Sequence, residues 1–349
     1  MRLRRSLPKA ALLAGYDGLI CDLDGVVHRG GVAVPAAVGT LNSALRARRR
    51  LTFATNNASR PPEAVADHLR SLGLERSGWS VVTSAQAAAH HLRDALGTGA
   101  RVVAVGGPGV TAALTAAGLV PVRVDTADAS AAGALVQGLG PDVSWTELAA
   151  ASVLVREGMP WVVTNTDLLL PGARGPLPGN GTLVEVVRTA SGVEPSAMGK
   201  PGRAMFELAR GAMGTSRRRT LVCGDRLDTD IAGAVAAGLD SVLVLSGVSS
   251  LRDLALAAPA QRPRFAAPDL GGLLAVPHPL LPGRSGLAVV SRGGLPEPVP
   301  SADPQRRLAS VVALAWWVLD AGGELCRDPD AWEELERRVS PPRAASAAG

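Results

Sequence analysis

The 349-residue chain is poor in aromatic side chains, with one Tyr, three Phe and six Trp. With so few rings to stack on bases, the excess of 36 Lys and Arg over 31 Asp and Glu does not read as a nucleic-acid surface. The formal charge is only +5, and the arginine clusters at 2–5, 46–50 and 217–219 read as solvated faces or helix ends. Cysteine is scarce as well. Cys21, Cys223 and Cys326 form no CxxC or Cys/His spacing, which argues against a zinc site and suits a reducing cytosol. No apolar run approaches the roughly 20 residues of a membrane span. The opening "MRLRRSLPKAALLAG" carries an apolar stretch of about six residues before Asp17, shorter than the core of a signal peptide. The expected location is the cytoplasm, with neither membrane nor nucleic acid as partner.

What the chain does have is apolar residue, 47% against 19% charged, over a length that can bury a sizeable core and form two domains. Short β-prone runs ("GLICDLDG", "LTFATNN", "VVTS", "RVVAVGG", "ALVQGL", "WVVTNTD", "TLVCGD", "SVLVLSG") alternate with longer Ala- and Leu-rich helical stretches. That alternation marks βαβ units around a mainly parallel sheet. Ligands of such sheets sit outside the carboxyl ends of the strands, and here those ends are unusually polar. One run ends in Asp22-Leu23-Asp24-Gly25, a second in Thr55-Asn56-Asn57, and a later one in Gly224-Asp225 with Asp228 and Asp230 following. Lys200, in "MGKPG", lies between the last two.

A strand-end Asp is a candidate nucleophile toward phosphorus, splitting one displacement into two through an aspartyl phosphate. Negatively charged phosphoryl oxygens admit a carboxylate only beside a cation, and Asp22 and Asp225 offer hard oxygens to Mg²⁺. Lys200, the Thr55 hydroxyl and Asn56 can hold the transferring oxygens as charge develops. Period-two alternation would turn Asp24 to the same side as Asp22, as the acid that protonates the leaving alkoxide and later activates water. Gly25 permits the turn that presents both. Taken singly, each segment has a plainer reading. DxDG can be a turn with solvated acids, TNN an Asx turn, GKP a loop with an exposed lysine, and GDRLDTD a capped helix start. Their order, each at a strand end or in the loop after it, joins them into one site.

The segments "DLDGV", "TNN", "GKP" and "GDRLDTD" resemble the four motifs of the haloacid dehalogenase (HAD) superfamily of phosphohydrolases. The resemblance implies a Rossmann-like core with Asp22 as nucleophile, Asp24 as acid/base, and Thr55, Asn56, Asn57 and Lys200 on the phosphate. It also implies Mg²⁺ held by Asp22, Asp225 and the backbone carbonyl of Asp24, with Asp230 and Gly25 in support. Asp228 matches no required position and reads as a surface acid. About 30 residues separate Asp24 from Thr55, too few for a lid, whereas more than 140 separate Asn57 from Lys200, so a cap domain is expected in the second interval. The cap's own βα alternation is similar to that of HAD class IIA, as are "TNNASR", "VVTSAQAAA", "LPGNGTLV" and "AAGLDSVLVLSGV", and the likeness covers about residues 15–275. The expected fold is α/β. A HAD core with a mainly parallel sheet takes 1–84 and 183–276, an inserted α/β class IIA (C2) cap 85–182, a small C-terminal α+β extension 277–340, and a disordered tail 341–349.

The class IIA likeness implies a small phosphorylated metabolite as partner, and a homo-oligomer is compatible with it. "TNNASR", "VVTSAQ", "PGNG" and "VCGDRLDTDI" are similar to segments of the actinobacterial glycerol-3-phosphate phosphatases. That narrower resemblance implies hydrolysis of glycerol 3-phosphate to glycerol and phosphate. The alternatives are phosphoglycolate or another small ester, as in 4-nitrophenyl phosphatase-like enzymes, a phosphotransferase, and a non-catalytic scaffold. Candidate cap contacts lie at 165–170 and 178–181. His90 and His91 read as surface or interdomain residues, and His28 as a solvated loop histidine. Past Pro277 the chain turns rich in Pro and Gly, with a strand expected at 286–291 and two helices after it. The first of these, around Trp316 and Trp317, is apolar on much of its circumference and must pack on something.

Overall fold

The strand Gly18–Cys21 is buried at every position, the pattern of a parallel strand covered on both faces. In the computed structural model, which describes residues 10–170, 175–283, 290 and 293–340, it lies in the first of two compact units. That unit takes the described residues of Met1–Leu51, Leu72–Trp79 and Met213–Gly349, and the second takes those of Thr52–Ser71 and Ser80–Ala212. In the first unit, Gly18–Cys21 pairs parallel with Thr220–Gly224, Gly18 opposite Thr220 and Cys21 opposite Cys223. Thr220–Gly224 pairs parallel with Asp240–Val244, which pairs parallel with Phe265–Ala267. On the other side of Gly18–Cys21, the Arg50 amide donates to the Asp17 carbonyl at 2.9 Å. Because the strands run the same way, Cys21, Gly224 and Val244 end on one edge, where a parallel sheet places its ligands.

The second unit has its own parallel sheet. Its order is Ser196–Ala197, Trp161–Val163, Ala134–Gln137, Arg101–Val105, Val120–Arg123, so the edge strand Ser196–Ala197 comes from beyond residue 182. Val103, Leu135, Leu148, Trp161 and Val184 share its core. Two of its helices begin with reciprocal caps: Thr83 with Gln86 ahead of Ser84–Leu96, and Ser144 with Glu147 ahead of Trp145–Arg156. Each such pair satisfies two of the amides that a helix start leaves open. Leu169–Leu170 pairs antiparallel with Leu177–Pro178.

Beyond residue 277, the two expected helices are Pro304–Asp320 and Pro329–Val339. Both open on an Asp-Pro pair, with Asp303 accepting from the Gln305 amide and Asp328 from the Asp330 amide. An Asp cap followed by a proline with φ already set for a helix is a strong start signal. Trp316 is fully buried and its Nε1 donates to the Leu254 carbonyl at 2.9 Å, whereas Trp317 is partly exposed. Of the strand expected at 286–291, only Val290 is among the described residues, and it bridges Pro296. The 341–349 tail lies outside them. Among the described residues no helix is long and apolar enough to cross a membrane, and the three cysteines are free.

Candidate functional site

The Asp22 amide continues the parallel ladder, donating to the Cys223 carbonyl at 2.9 Å. The strand itself ends at Cys21, so the period-two alternation expected to aim Asp22 and Asp24 alike does not operate. A turn sets them instead. The carbonyl of buried Leu23 accepts the amides of Val26, Val27 and His28 at 3.3, 2.8 and 3.1 Å, and the Gly25 amide donates to the His28 carbonyl at 2.8 Å. Gly25 takes φ +81°, a conformation that side chains disfavour. Asp24 is left with its side chain 57% exposed and its Oδ1 3.5 Å from His28 Nδ1. His28, expected as a solvated loop residue, has a side chain only 12% exposed and stands against this acid.

Asp22, Asp225 and Asp230 bring carboxylate oxygens within 4.8 Å of one another, the one such cluster of His, Cys, Asp or Glu among the described residues. Asp225 directly follows the strand Thr220–Gly224, and Asp230 sits in a wide π-type turn, Leu227–Ile231; π-turns occur often at functional sites. Both are almost fully buried. The Arg226 amide donates to Asp230 Oδ2 at 3.2 Å, and the Val248 amide to Asp225 Oδ2 at 2.8 Å. The loop carrying Val248 is tied down on both sides: Ser246 Oγ donates to the Gly25 carbonyl at 2.7 Å, and Ser249 Oγ accepts the Leu227 amide at 3.2 Å. A Cβ on Gly25 or Gly247 would run into the Asp225 carboxylate, and one on Gly224 into the Asp230 side chain. Ser246, Gly247 and Val248 were not singled out from the sequence. The signal that finds them is their place just past a strand end, in "LVLSGV", beside the strand of Asp225.

Asp228, read as a surface acid, is exposed and pairs with Arg226 at 3.0 and 2.7 Å. Burial raises its pKa, but the Arg226 hydrogen bonds and charge outweigh it and hold the carboxyl below its ordinary range. Behind the acids, a hydrogen bond to Cys223 and then burial push the Cys21 thiol well up, so it stays neutral beside Asp22.

The other predicted residues belong to the second unit. Thr55 ends the strand Arg50–Thr55, is buried, and its Oγ1 accepts the Asn57 amide at 3.1 Å. Asn57 Oδ1 in turn accepts the Ser59 amide and hydroxyl at 3.0 and 2.6 Å. The Asn56 side chain reaches Lys200 and Asp167. Its Oδ1 accepts the Lys200 amide at 2.8 Å, and its Nδ2 donates to the Lys200 carbonyl at 3.1 Å and to Asp167 Oδ2 at 2.8 Å. It grips both backbone groups of buried Lys200. The Asn56 carbonyl accepts from Ser84 Oγ and Asn165 Nδ2, each at 2.7 Å, and the Asn165 carbonyl accepts from buried Asn180 at 2.7 Å. Thus Asn165 and Asn180, in the segments expected as ligand contacts, brace the Asn56 that grips Lys200. A Cβ on Gly199 would meet Asn56 Oδ1 at 2.6 Å, which accounts for the glycine before the lysine. Asp167 was not named individually. His90 is half-buried, with its pKa lowered by burial and then by Arg93, and His91 is exposed.

Three carboxylates this close, two of them buried, repel one another unless a cation sits among them. Their hard oxygens fit Mg²⁺ or Ca²⁺ and not a soft, thiolate-preferring metal. Residues 19–120 match the haloacid dehalogenase-like hydrolase family, and residues 197–273 match a second HAD-hydrolase-like family. The chain is 46% identical over 262 residues to the D-glycerol 3-phosphate phosphatase of Mycobacterium tuberculosis, an alignment covering 74% of this chain and 71% of that one. It is 34% identical over 239 residues to the acid sugar phosphatase of Staphylococcus aureus, covering 68% and 90%. Among solved structures, the M. tuberculosis glycerol phosphate phosphatase in complex with magnesium superposes with a TM-score of 0.81 at 38% identity, over 95% of this chain and 99% of that one. The 4-nitrophenylphosphatase of Thermotoga maritima superposes with a TM-score of 0.69 at 27% identity, over 75% of this chain and 98% of its own.

Proposed function

Because the chain belongs to the haloacid dehalogenase-like hydrolases, we propose that it is a Mg²⁺-dependent phosphatase of small phosphate monoesters, with glycerol 3-phosphate as its first substrate. The observation that carries the reading is the cluster of Asp22, Asp225 and Asp230 in a chain so similar to a glycerol 3-phosphate phosphatase. Asp22 and Asp225, with the backbone carbonyl of Asp24, would hold Mg²⁺, and Asp230 would support them. Bound there, the ion would neutralise the repulsion between phosphate and carboxylate.

In the first step, an Asp22 carboxylate oxygen forms a bond to phosphorus as the bond from phosphorus to the ester oxygen breaks, and Asp24 gives the leaving alkoxide its proton. In the second, Asp24 takes a proton from water as that water attacks phosphorus. The bond from phosphorus to Asp22 then breaks, which frees phosphate and restores the enzyme. Thr55, Lys200 and the backbone at Asn56 and Asn57 are assigned to the phosphoryl oxygens, where a fixed cation and amides stabilise developing charge. Asp24's exposure leaves its carboxyl open to water.

Residues 85–182 are read as the cap that selects the ester, and the enzyme as cytoplasmic, free of nucleic acid, and able to work as a homo-oligomer. A panel of glycerol 3-phosphate, phosphoglycolate, 4-nitrophenyl phosphate and sugar phosphates at equal concentration, with and without Mg²⁺, tests the reading. Mg²⁺-dependent phosphate release fastest from glycerol 3-phosphate is expected. Faster release from phosphoglycolate moves the substrate assignment, and no release from any ester overturns the phosphatase reading.

A further inference from the structure

We propose that Glu336, in the last helix of the C-terminal extension, is a positioning residue for the loop 246–249 that holds Asp225; the proposal rests on the Mg²⁺ reading above. The connection is short. Glu336 Oε2 accepts the Leu251 amide at 2.7 Å, across 85 residues of chain. Leu251 opens a five-residue helix, Leu251–Ala255, too short to hold its own place without tertiary support. Ser250 and Asp253 cap it reciprocally, and the Trp316 indole fixes its Leu254 carbonyl. Immediately before it stand the residues that grip the acid: the Ser249 amide on the Asp225 carbonyl at 3.0 Å and the Val248 amide on Asp225 Oδ2 at 2.8 Å.

Apolar packing follows the same route. Leu227 and Ile231, the two ends of the π-type turn that carries Asp230, share one buried cluster with Leu251, Trp316, Trp332 and Leu335. Thus the segments behind Asp225 and Asp230 both rest on the two extension helices. A carboxylate acceptor makes a stronger bond to a backbone amide than a neutral one. Loss of this one hydrogen bond loosens the start of the segment that directly follows Val248 and Ser249, while the cap and the Trp316 bond still hold the rest.

The test is Mg²⁺ affinity, measured by titration calorimetry on the full chain without substrate, alongside thermal unfolding. Glu336→Ala is expected to weaken Mg²⁺ binding about tenfold, the low end for partners outside the ligand set. Glu336→Gln, which keeps an acceptor oxygen for the Leu251 amide, should stay within about twofold of the parent. Ser310→Ala is the control. It removes the buried hydroxyl that accepts the Val299 amide at 3.0 Å, so it should lower Tm without moving Mg²⁺ affinity. If Glu336→Ala fails to fold, Glu336→Met takes its place with the same expectation. Unchanged Mg²⁺ affinity in the Ala or Met variant, or an equal loss in Ser310→Ala, overturns the positioning role. Asp225→Asn separates this from the metal reading: were it to bind Mg²⁺ like the parent, the metal site itself would be wrong and the Glu336 proposal would fall with it.

Discussion

The proposed chemistry puts two demands on Asp22, attack on phosphorus and metal binding, and Asn could meet only part of the second. Asp22→Asn is therefore expected to lower kcat by about 10³-fold or more. It also removes one of three mutually repelling carboxylates, so Tm measured without Mg²⁺ should hold or rise. A kcat within tenfold of the parent would remove Asp22 from the nucleophile's role. Asn56 offers a second test at this scale. With its hydrogen bonds spent on the Lys200 backbone and Asp167, Asn56→Ala should cost roughly 10²-fold in kcat/KM through misplacement of the lysine. An unchanged kcat/KM would show that Lys200 is held without it. Both residues were legible as candidates in the sequence, because each stands where an apolar run ends. That the Asn56 side chain clasps Lys200 was not legible, since that pairing spans 144 positions and depends on where two loops meet in the folded unit.

Among the elements, the strands were the easiest to read and the turns the hardest. "GLIC" and "TLVCG" are continuous apolar runs, and the structure makes them adjacent buried strands. The stop after Cys21 was not legible, because the turn is set by several amides converging on the Leu23 carbonyl and not by side-chain pattern. The loop at 246–249 was not legible for a similar reason: Gly247 acts by close approach and Val248 by its backbone amide, and neither carries a chemistry-bearing side chain. Gly247→Ala would drive a methyl into the Asp225 carboxylate. It is expected to destabilise the fold by about 1–3 kcal/mol and to weaken Mg²⁺ binding, both readable by thermal unfolding with and without the ion. At the opposite ends of the same strands, Asp17 accepts from Arg219 at 3.0 and 2.9 Å and from Arg49 at 3.1 Å. The Arg219 hydrogen bonds, opposed by slight desolvation and aided by the arginine charges, lower its pKa. The stabilisation from a depressed carboxyl is present above its unfolded pKa and is lost as pH falls through the folded one. Asp17→Asn should therefore lower Tm at pH 7, and the gap to the parent should close as pH falls below the ordinary carboxyl range. A gap that persists at low pH would assign the loss to packing instead.

Across the whole chain, two α/β regions and a small α+β extension were legible in the sequence, but not what the extension is for. Its first helix was visible as a stretch apolar on much of its circumference around Trp316, and what covers that face in the structure is a cluster with Leu227, Ile231 and Leu251. Truncation of Trp316 to Ala removes a fully buried indole and its bond to Leu254. It is expected to cost about 3–5 kcal/mol, seen as a large drop in Tm; a change of a degree or less would mean the extension is only loosely docked. The central claim is that this molecule passes phosphate through Asp22. Its most direct measurement is acid quenching during turnover of glycerol 3-phosphate with Mg²⁺, followed by mass spectrometry of the peptide that carries "CDLDG". The account predicts a phosphate adduct on Asp22 that is absent from Asp22→Asn. Steady release of phosphate with no adduct on this peptide, or with the adduct on another residue, would contradict it.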